Sequence, residues 1–394
     1  MGAQGRIVHF NKLFFERTQT FLHNLIVGSK RWEPVLGCEE LVNQAEFPIN
    51  GIRSMNPFPR AGTLGGFCHR VLRKAHVRDI AFDKVLRRTN ARLVHAHFGP
   101  NGIYAELACR QRRTPLVVSF YGFDSAAPDS EMGRAWVSGY RRLFATAKAV
   151  LVEGPCIARK LQTVWNCPAE KIQILRISIP VEQIARRQVV LHNDAPVRLL
   201  FCGRFMQKKG LGVLIEALGR LGPEAKNYRL RVIGDGEVRP EHERRLEAIG
   251  LRGIVEFLGS QPRARFWQEL QTCHLLVAPS VTARNGDTEG GAPTVLLEAQ
   301  AAGIPVVTTN HADIPFVVVP GKSAFMAKEG DIDSLANTLR EAVRQSSRWP
   351  EMGQTGRKHV LENHGTQAVC RRLEEIYDSA TGSINSSGQG QERH

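Results

Sequence analysis

The chain has 394 residues, 42% hydrophobic and 23% charged, a balance that suits a folded protein with a full core and excludes a disordered chain. Its net charge of +15 is unevenly spread: residues 1–180 carry 26 Lys and Arg against 13 Asp and Glu, and the remainder 27 against 25. No apolar run reaches the length of about 18 residues that spans a bilayer, the opening MGAQGRIVHFNK holds no secretory apolar core, and Arg6 breaks the myristoylation pattern, so a cytoplasmic protein without a transmembrane helix is expected.

In chain order, apolar strand-like runs alternate with helix-like ones. Strands are predicted at Arg6–Phe10, Arg92–Ala96, Pro115–Phe120, Ala149–Glu153 and Ile172–Ile177, with helices at Thr20–Gly28, Gly102–Arg112, Arg134–Ala147 and Pro155–Val164. After a polar segment, Pro180–Pro196, the pattern restarts. Strands follow at Val197–Cys202, Arg229–Ile233, Ile254–Leu258, Leu275–Ala278 and Pro305–Thr308. Their helices are Gly210–Leu218, Glu241–Ile249, Phe266–Thr272 and Thr294–Ala302. A last helix is predicted from Thr366 to Tyr377, before a polar tail that reads as disordered. The fold class is therefore α/β, with two doubly wound parallel-sheet domains in tandem and a cleft between them. The domains are placed at 1–180 and 197–365, with 181–196 as linker, 366–378 as the closing helix and 379–394 as tail.

The basic half implies an anionic partner. Between Cys68 and Arg92, Arg70, Arg73, Lys74, Arg78, Lys84, Arg87 and Arg88 interleave with Phe67, Val71, Leu72, Val77, Ile80, Phe82, Val85 and Leu86. This pattern suits a helix pair lying on anionic lipid, and equally two core helices with a basic outer face. None of the eight cysteines pair as Cys-x2-Cys, so they read as reduced thiols, mostly buried, and no zinc site is expected.

Two segments carry chemistry. In the first, the strand ending at Gly203 runs into Arg204-Phe205-Met206-Gln207-Lys208-Lys209, and a helix begins near Gly210. Arg204 offers a planar fork and Lys209 a compact charge, which with a helix amino end suits a diphosphate. In the second, Glu289-Gly290-Gly291-Ala292-Pro293-Thr294 leads into a helix containing Glu298 and ending at Gly303. The glycines let backbone amides approach an anion, Pro293 suits a first turn, and either glutamate can accept hydrogen bonds from paired hydroxyls. Leu296, Leu297, Ala299 and Ala301 make that helix look buried, so Glu298 needs polar partners.

These residues, with Gly303-Ile304-Pro305-Val306-Val307, resemble the donor-binding domain of glycosyltransferase family 4, retaining enzymes of the GT-B fold. His95-Ala96-His97-Phe98-Gly99 and Val117-Val118-Ser119-Phe120-Tyr121-Gly122-Phe123-Asp124 are similar to bacterial exopolysaccharide members of the colanic acid type. The likeness spans about residues 6–378. It implies two Rossmann-like domains facing a central cleft, with the C-terminal helix packing back towards the N-terminal domain. Arg204 and Lys209 would hold the nucleotide diphosphate and take up leaving-group charge. Glu298 would bind the ribose and Glu289 would lie near the donor sugar. Gly203, Gly290, Gly291, Ala292 and Thr294 would meet sugar and phosphate. On the acceptor side, His97, Tyr121 and the loop Glu16–Thr20, with Thr18, would line the cleft.

Three departures from the family pattern stand out. Glu289 and Glu298 are spaced Glu-x8-Glu rather than Glu-x7-Glu, the extra residue falling in Gly290-Gly291-Ala292. Tyr121 stands where many members have histidine, and a tyrosine is no base at neutral pH. Phe316 stands where relatives often carry glutamate. The resemblance implies transfer of a hexose from a nucleotide diphosphate sugar to a glycan or polyprenyl-diphosphate-linked glycan, with retention and front-face departure, in bacterial surface polysaccharide synthesis. No cofactor or metal is expected, since no Asp-x-Asp is present and two cations stand in its place. The basic first domain would sit on the inner face of the membrane as a peripheral protein.

Rival readings fare worse. A dehydrogenase needs Gly-x-Gly-x-x-Gly after the first strand, where Asn11-Lys12-Leu13-Phe14-Phe15 stands instead. An epimerase or inverting transferase of the same fold would lack the paired glutamates. A basic nucleic-acid binder would show a helix-turn-helix, zinc finger or aromatic-rich RNA motif, and none appears, so no nucleic acid is expected among the partners.

Overall fold

The protein is described from a computed structural model covering residues 4–59, 62–125, 128, 131–192 and 195–382. It divides into two units: residues 1–178 together with 366–394, and residues 179–365.

The first unit is built on a seven-stranded sheet. Its strands are β1 (Arg6–Phe10), β3 (Glu33–Gly37), β5 (Arg53–Met55), β6 (Ala91–His97), β7 (Leu116–Phe120), β8 (Ala149–Val152) and β9 (Ile172–Ile174); the two-residue strands β2 (Leu13–Phe14) and β4 (Glu40–Leu41) pair separately. The order β5-β3-β1-β6-β7-β8-β9 grows outward in both directions from the β1/β6 pair, and every pairing is parallel. Parallel strands need both faces covered, which explains their continuous apolar runs. On one face Val8, Phe10, Val94, Val118 and Phe120 pack under the helices Ile80–Thr89, Gly99–Arg112 and Val137–Thr146. On the other, Ile7, Leu93, Val117 and Leu151 meet Val369, Leu373, Ile376 and Tyr377 of the helix Thr366–Thr381. The C-terminal helix thus belongs to the N-terminal unit, as expected. It continues to Thr381, past the predicted end at residue 378, and residues 383–394 of the expected tail lie outside the described residues.

The second unit holds β10 (Val197–Cys202), β11 (Tyr228–Ile233), β12 (Val255–Gly259), β13 (Leu275–Ala278), β14 (Val306–Thr309) and β15 (Ala324–Ala327), in the order β12-β11-β10-β13-β14-β15, again all parallel. The order reverses between β10 and β13, and doubly wound sheets bind ligands in the crevice at the carboxyl ends of such a pair. Both predicted chemical segments follow those two strands.

Several details correct the expectations. The segment read as a polar linker is tied down: Val181, Ile184 and Val189 are buried, and the Arg187 amide donates to Ala302 O. The helix predicted over Arg134–Ala147 is two helices, Glu131–Arg134 and Val137–Thr146. The helix predicted from Gly102 starts at Gly99, because Phe98 takes a positive φ of 69° and turns the chain straight out of β6. Five of the eight cysteines are buried and all are free thiols.

Candidate functional site

In the second unit, the loop after β10 and the loop after β13 are stitched together. Gly210, at φ 73°, begins the helix Leu211–Arg220, and a Cβ there would sit 1.9 Å from Pro279 O. Only glycine permits that approach. The Val281 amide donates to Lys208 O at 2.9 Å, and the Arg284 amide to Gln207 Oε1 at 2.8 Å. Gly203 is crossed on its other side by Gly234, whose Cβ would lie 1.9 Å from Gly203 O. The two motifs are therefore one piece of structure.

Lys209 and Glu289 form an ion pair, Nζ to Oε2 at 2.7 Å, and Ser280 Oγ donates to Glu289 Oε1 at 2.8 Å. The Glu289 amide donates to His311 Nε2 at 3.2 Å, while His311 Nδ1 lies 3.1 Å from Glu329 Oε1. His311 thus holds the backbone of a predicted site residue. Lys208, not singled out from the sequence, holds the same loop through Asp287 Oδ1 and Thr288 O, both at 3.0 Å. Gly290 is buried at φ 77°, Gly291 is buried, and Ala292 and Thr294 are partly exposed where the helix Thr294–Ala301 begins. Arg204 is exposed and forms no ion pair among the described residues.

Glu298 is 5% exposed, as its apolar neighbours foretold, and its partners come from the helix Arg263–Leu270. Arg263 Nε and Trp267 Nε1 each donate to its Oε1 at 3.0 Å. Nothing in the sequence marks those two residues as its partners. Glu298 and Lys209 both act electrostatically on Cys202 at the end of β10, where burial dominates and pushes the thiol up to about 12. Lys209, Glu289 and Glu298 thus gather at the carboxyl end of the β10/β13 pair, and Arg204 follows β10 in the chain as an exposed residue. Phe316, the departure noted at that position, is 51% exposed and carries no charge.

The acceptor-side residues of the first unit are arranged differently from the expectation. His97 is fully buried and does not line an open surface. Its Nδ1 lies 2.9 Å from the Tyr121 hydroxyl and its Nε2 3.0 Å from His9 Nδ1. His9 faces His95 across the β1/β6 pairing, and His97, two residues on, shares that sheet face. His95 is held by Tyr377 Oη and Ser119 Oγ, both at 2.7 Å. Burial lowers His9 to about 3 and takes His95 and His97 well below the ordinary histidine range, so all three are neutral at pH 7. His9, His95 and His97 are also close enough to share an ion, but both His95 ring nitrogens are already taken by hydrogen bonds.

Tyr121 is partly exposed and lines a shallow recess with Phe21, Glu153, Arg176 and Ser178. Burial raises its phenol above the ordinary range, so it stays protonated. Glu153 lines this recess, and Gly154 caps the helix Pro155–Thr163. The loop Glu16–Thr20 is ordered by Gln19, whose Oε1 accepts from the Phe15 amide at 2.9 Å and whose Nε2 donates to Glu16 Oε2 at 3.0 Å. Thr18 is exposed on that loop, and no contact ties it to His97 or Tyr121.

Residues 182–359 match the family model described as glycosyl transferases group 1, and residues 35–177 match that of the glycosyl transferase 4-like domain. The chain is 31% identical over 283 residues to a putative colanic acid biosynthesis glycosyltransferase, WcaL, of Salmonella typhimurium, covering 71% of this chain and 68% of that one. It is 34% identical over 240 residues to the amylovoran biosynthesis glycosyltransferase AmsK of Erwinia amylovora, covering 61% and 58%. Among solved structures, a glycosyltransferase from Rickettsia africae superposes with a TM-score of 0.76 at 14% identity, over 96% of this chain and 99% of that one. Anabaena Alr3699/HepE in complex with UDP and glucose superposes with a TM-score of 0.74 at 17% identity, over 95% and 100%.

Proposed function

The chain belongs to the group 1 and 4-like glycosyltransferases of GT-B fold, and from that premise we propose that it moves a hexose from a nucleotide diphosphate sugar to a glycan or polyprenyl-diphosphate-linked glycan, with retention, in bacterial surface polysaccharide synthesis. The observation that carries the reading is the gathering of Lys209, Glu289 and Glu298 at the carboxyl end of the β10/β13 pair, with Arg204 on the loop that follows β10. The names of the colanic acid and amylovoran relatives support the pathway, and the UDP and glucose complex of the Anabaena neighbour supports a nucleotide sugar as donor.

In this reading the donor's diphosphate lies against Arg204, Lys209 and the amides of Gly203 and Gly290 to Ala292. An ammonium has three donors; Glu289 uses one on Lys209, leaving two for phosphate oxygens. As the glycosidic bond breaks, these cations and amides offset the charge that grows on the leaving nucleoside diphosphate, without a metal. Glu298 takes the ribose hydroxyls, and Glu289 the sugar. No carboxylate is assigned as a nucleophile, so departure and attack occur on one face of the sugar.

The acceptor side is assigned to the recess beside Tyr121 and the loop bearing Thr18, with His97 acting from behind by fixing the Tyr121 hydroxyl. The membrane partner is assigned to the helix Leu64–Lys74 and the turn after it. Leu64 is 80% exposed, Phe67 57%, Val71 51% and Val77 59%, among exposed Arg70, Lys74 and Arg78. Apolar side chains held in water beside cations suit an anionic lipid surface. Phe82, Val85 and Leu86, grouped with them in the sequence, are core instead.

Thermal-shift titration with UDP, GDP, ADP and their sugars tests the donor site, since a ligand of the native state raises Tm. One nucleotide should shift Tm, and Arg204→Ala and Glu298→Ala should each diminish that shift; full shifts in both variants would remove the reading. Flotation should recover the protein with phosphatidylglycerol vesicles, less so after Leu64→Ser with Phe67→Ser. Absence from anionic vesicles would remove the membrane assignment.

A further inference from the structure

Glu298 is an acid in an apolar setting, and its two oxygens are treated unequally. Oε1 accepts from Arg263 Nε and from Trp267 Nε1, both at 3.0 Å. Oε2 accepts from no described residue, while Arg263 Nη2 is buried without a hydrogen-bond partner. The two donors stand four residues apart on one helix, on the same face, and the Arg263 guanidinium lies 4.7 Å over the Trp267 ring.

The arrangement is a poor choice for stability alone. Arginine–carboxylate pairs are frequently bidentate, through two parallel hydrogen bonds. Here the fork is turned so that Nε meets Oε1 while Nη2 is enclosed without a partner, an arrangement that costs free energy. What it achieves is geometric. Both donors fix one oxygen, so the carboxylate plane is set and the other oxygen is left free to accept.

Resting on the donor-site reading above, we propose that Arg263, braced by Trp267, is a positioning residue that turns Glu298 so that Oε2 meets the ribose hydroxyls of the nucleotide, and so sets the preference for ribonucleotides over deoxyribonucleotides. Removing Arg263 leaves Glu298 held by Trp267 alone, free to rotate about its last torsion. The diphosphate grip, made by residues of the β10 and β13 loops, is untouched.

The test is calorimetric titration of the full chain with UDP, GDP and ADP, and with dUDP, dGDP and dADP. For the nucleotide that binds tightest, the native protein should favour the ribo form by about tenfold or more, as sites built to bond a hydroxyl do. Glu298→Ala should abolish the preference. Arg263→Met should reduce it to about twofold while leaving the deoxy form's Kd in place, Arg263→Lys should restore part of it, and Trp267→Phe should fall between. An unchanged preference in Arg263→Met overturns the proposal, and so does an equal loss of ribo and deoxy binding, which marks a purely structural role. If Arg263→Met does not fold, Trp267→Phe reads the same question by the same ratio. Should Glu298→Ala keep the preference, the ribose assignment of the donor site fails with it.

Discussion

Lys209 and Glu289 are 80 residues apart in the chain, yet Nζ and Oε2 meet at 2.7 Å, which makes the phosphate-side and sugar-side halves of the candidate site a single electrostatic unit. Glu289's side chain is only 6% exposed and Lys209's 22%. Removing one partner of a fully buried pair costs about 3–5 kcal/mol, and with the ammonium partly exposed Lys209→Met should destabilise by about 1–3 kcal/mol. In Lys209→Met with Glu289→Gln, urea denaturation should show part of that loss recovered. Strictly additive losses would show that the pair contributes nothing as a pair.

Arg204 gives the opposite signature. It is exposed without an ion pair among the described residues, so Arg204→Ala should change stability by no more than about 0.5 kcal/mol. Turnover of the nucleotide sugar should nevertheless fall by about 10²–10³-fold, as when one preorganised charge-stabilising group is removed. A matching fall in stability would place Arg204 among structural residues.

Asp124 imposes a pH dependence. It is fully buried, and burial raises its carboxyl to about 6 against the pull of the Gly99 and Tyr121 amides, which donate to it at 3.0 Å. A folded value above the unfolded one means a contribution fully present below about pH 4 and lost as pH rises through about 6. The stability of the native chain minus that of Asp124→Asn should therefore fall across that window, by about 2–3 kcal/mol at most. A flat or rising difference in denaturant midpoints would contradict this.

The C-terminal helix is part of the first unit's core. Glu374 Oε1 accepts from Ser29 Oγ at 2.9 Å, the Lys30 amide at 2.6 Å and the Arg31 amide at 2.7 Å, and Tyr377 supports His95. Glu374→Ala should destabilise by about 2–4 kcal/mol and Tyr377→Phe by about 1–3 kcal/mol, the range for stranding buried polar groups. Chains ending at residue 365 should lose cooperative unfolding of the first unit. A truncated chain with native hydrogen-exchange protection in β6 and β7 would refute this.

Gly210 marks the seam between the two donor loops. With φ at 73° and a Cβ due 1.9 Å from Pro279 O, Gly210→Ala must push the loops apart. Nucleotide binding should fall at least about tenfold together with Tm, a combined loss that Gly222→Ala, in open space at φ 59°, should not show in binding.

The sequence by itself determined the alternation of apolar strands and helices, the restart near Val197, the two charged or glycine-rich segments after β10 and β13, and the burial of Glu298. Each of these is written in local composition: continuous apolar runs, turn residues, and an acid amid Leu296, Leu297 and Ala299. It missed β3, β5 and β15 and the helices Ile332–Arg344 and Trp349–His364; the three strands are short, from three to five residues, and Pro34 interrupts β3. Only the tertiary structure decided that His97 is sealed behind Tyr121, that Phe67 and Val71 face solvent while Phe82 and Val85 do not, and that Arg263 and Trp267 are the partners of Glu298. Burial and pairing depend on which distant segment covers a face, and hydrogen bonds between side chains on different elements leave no periodic trace in the chain.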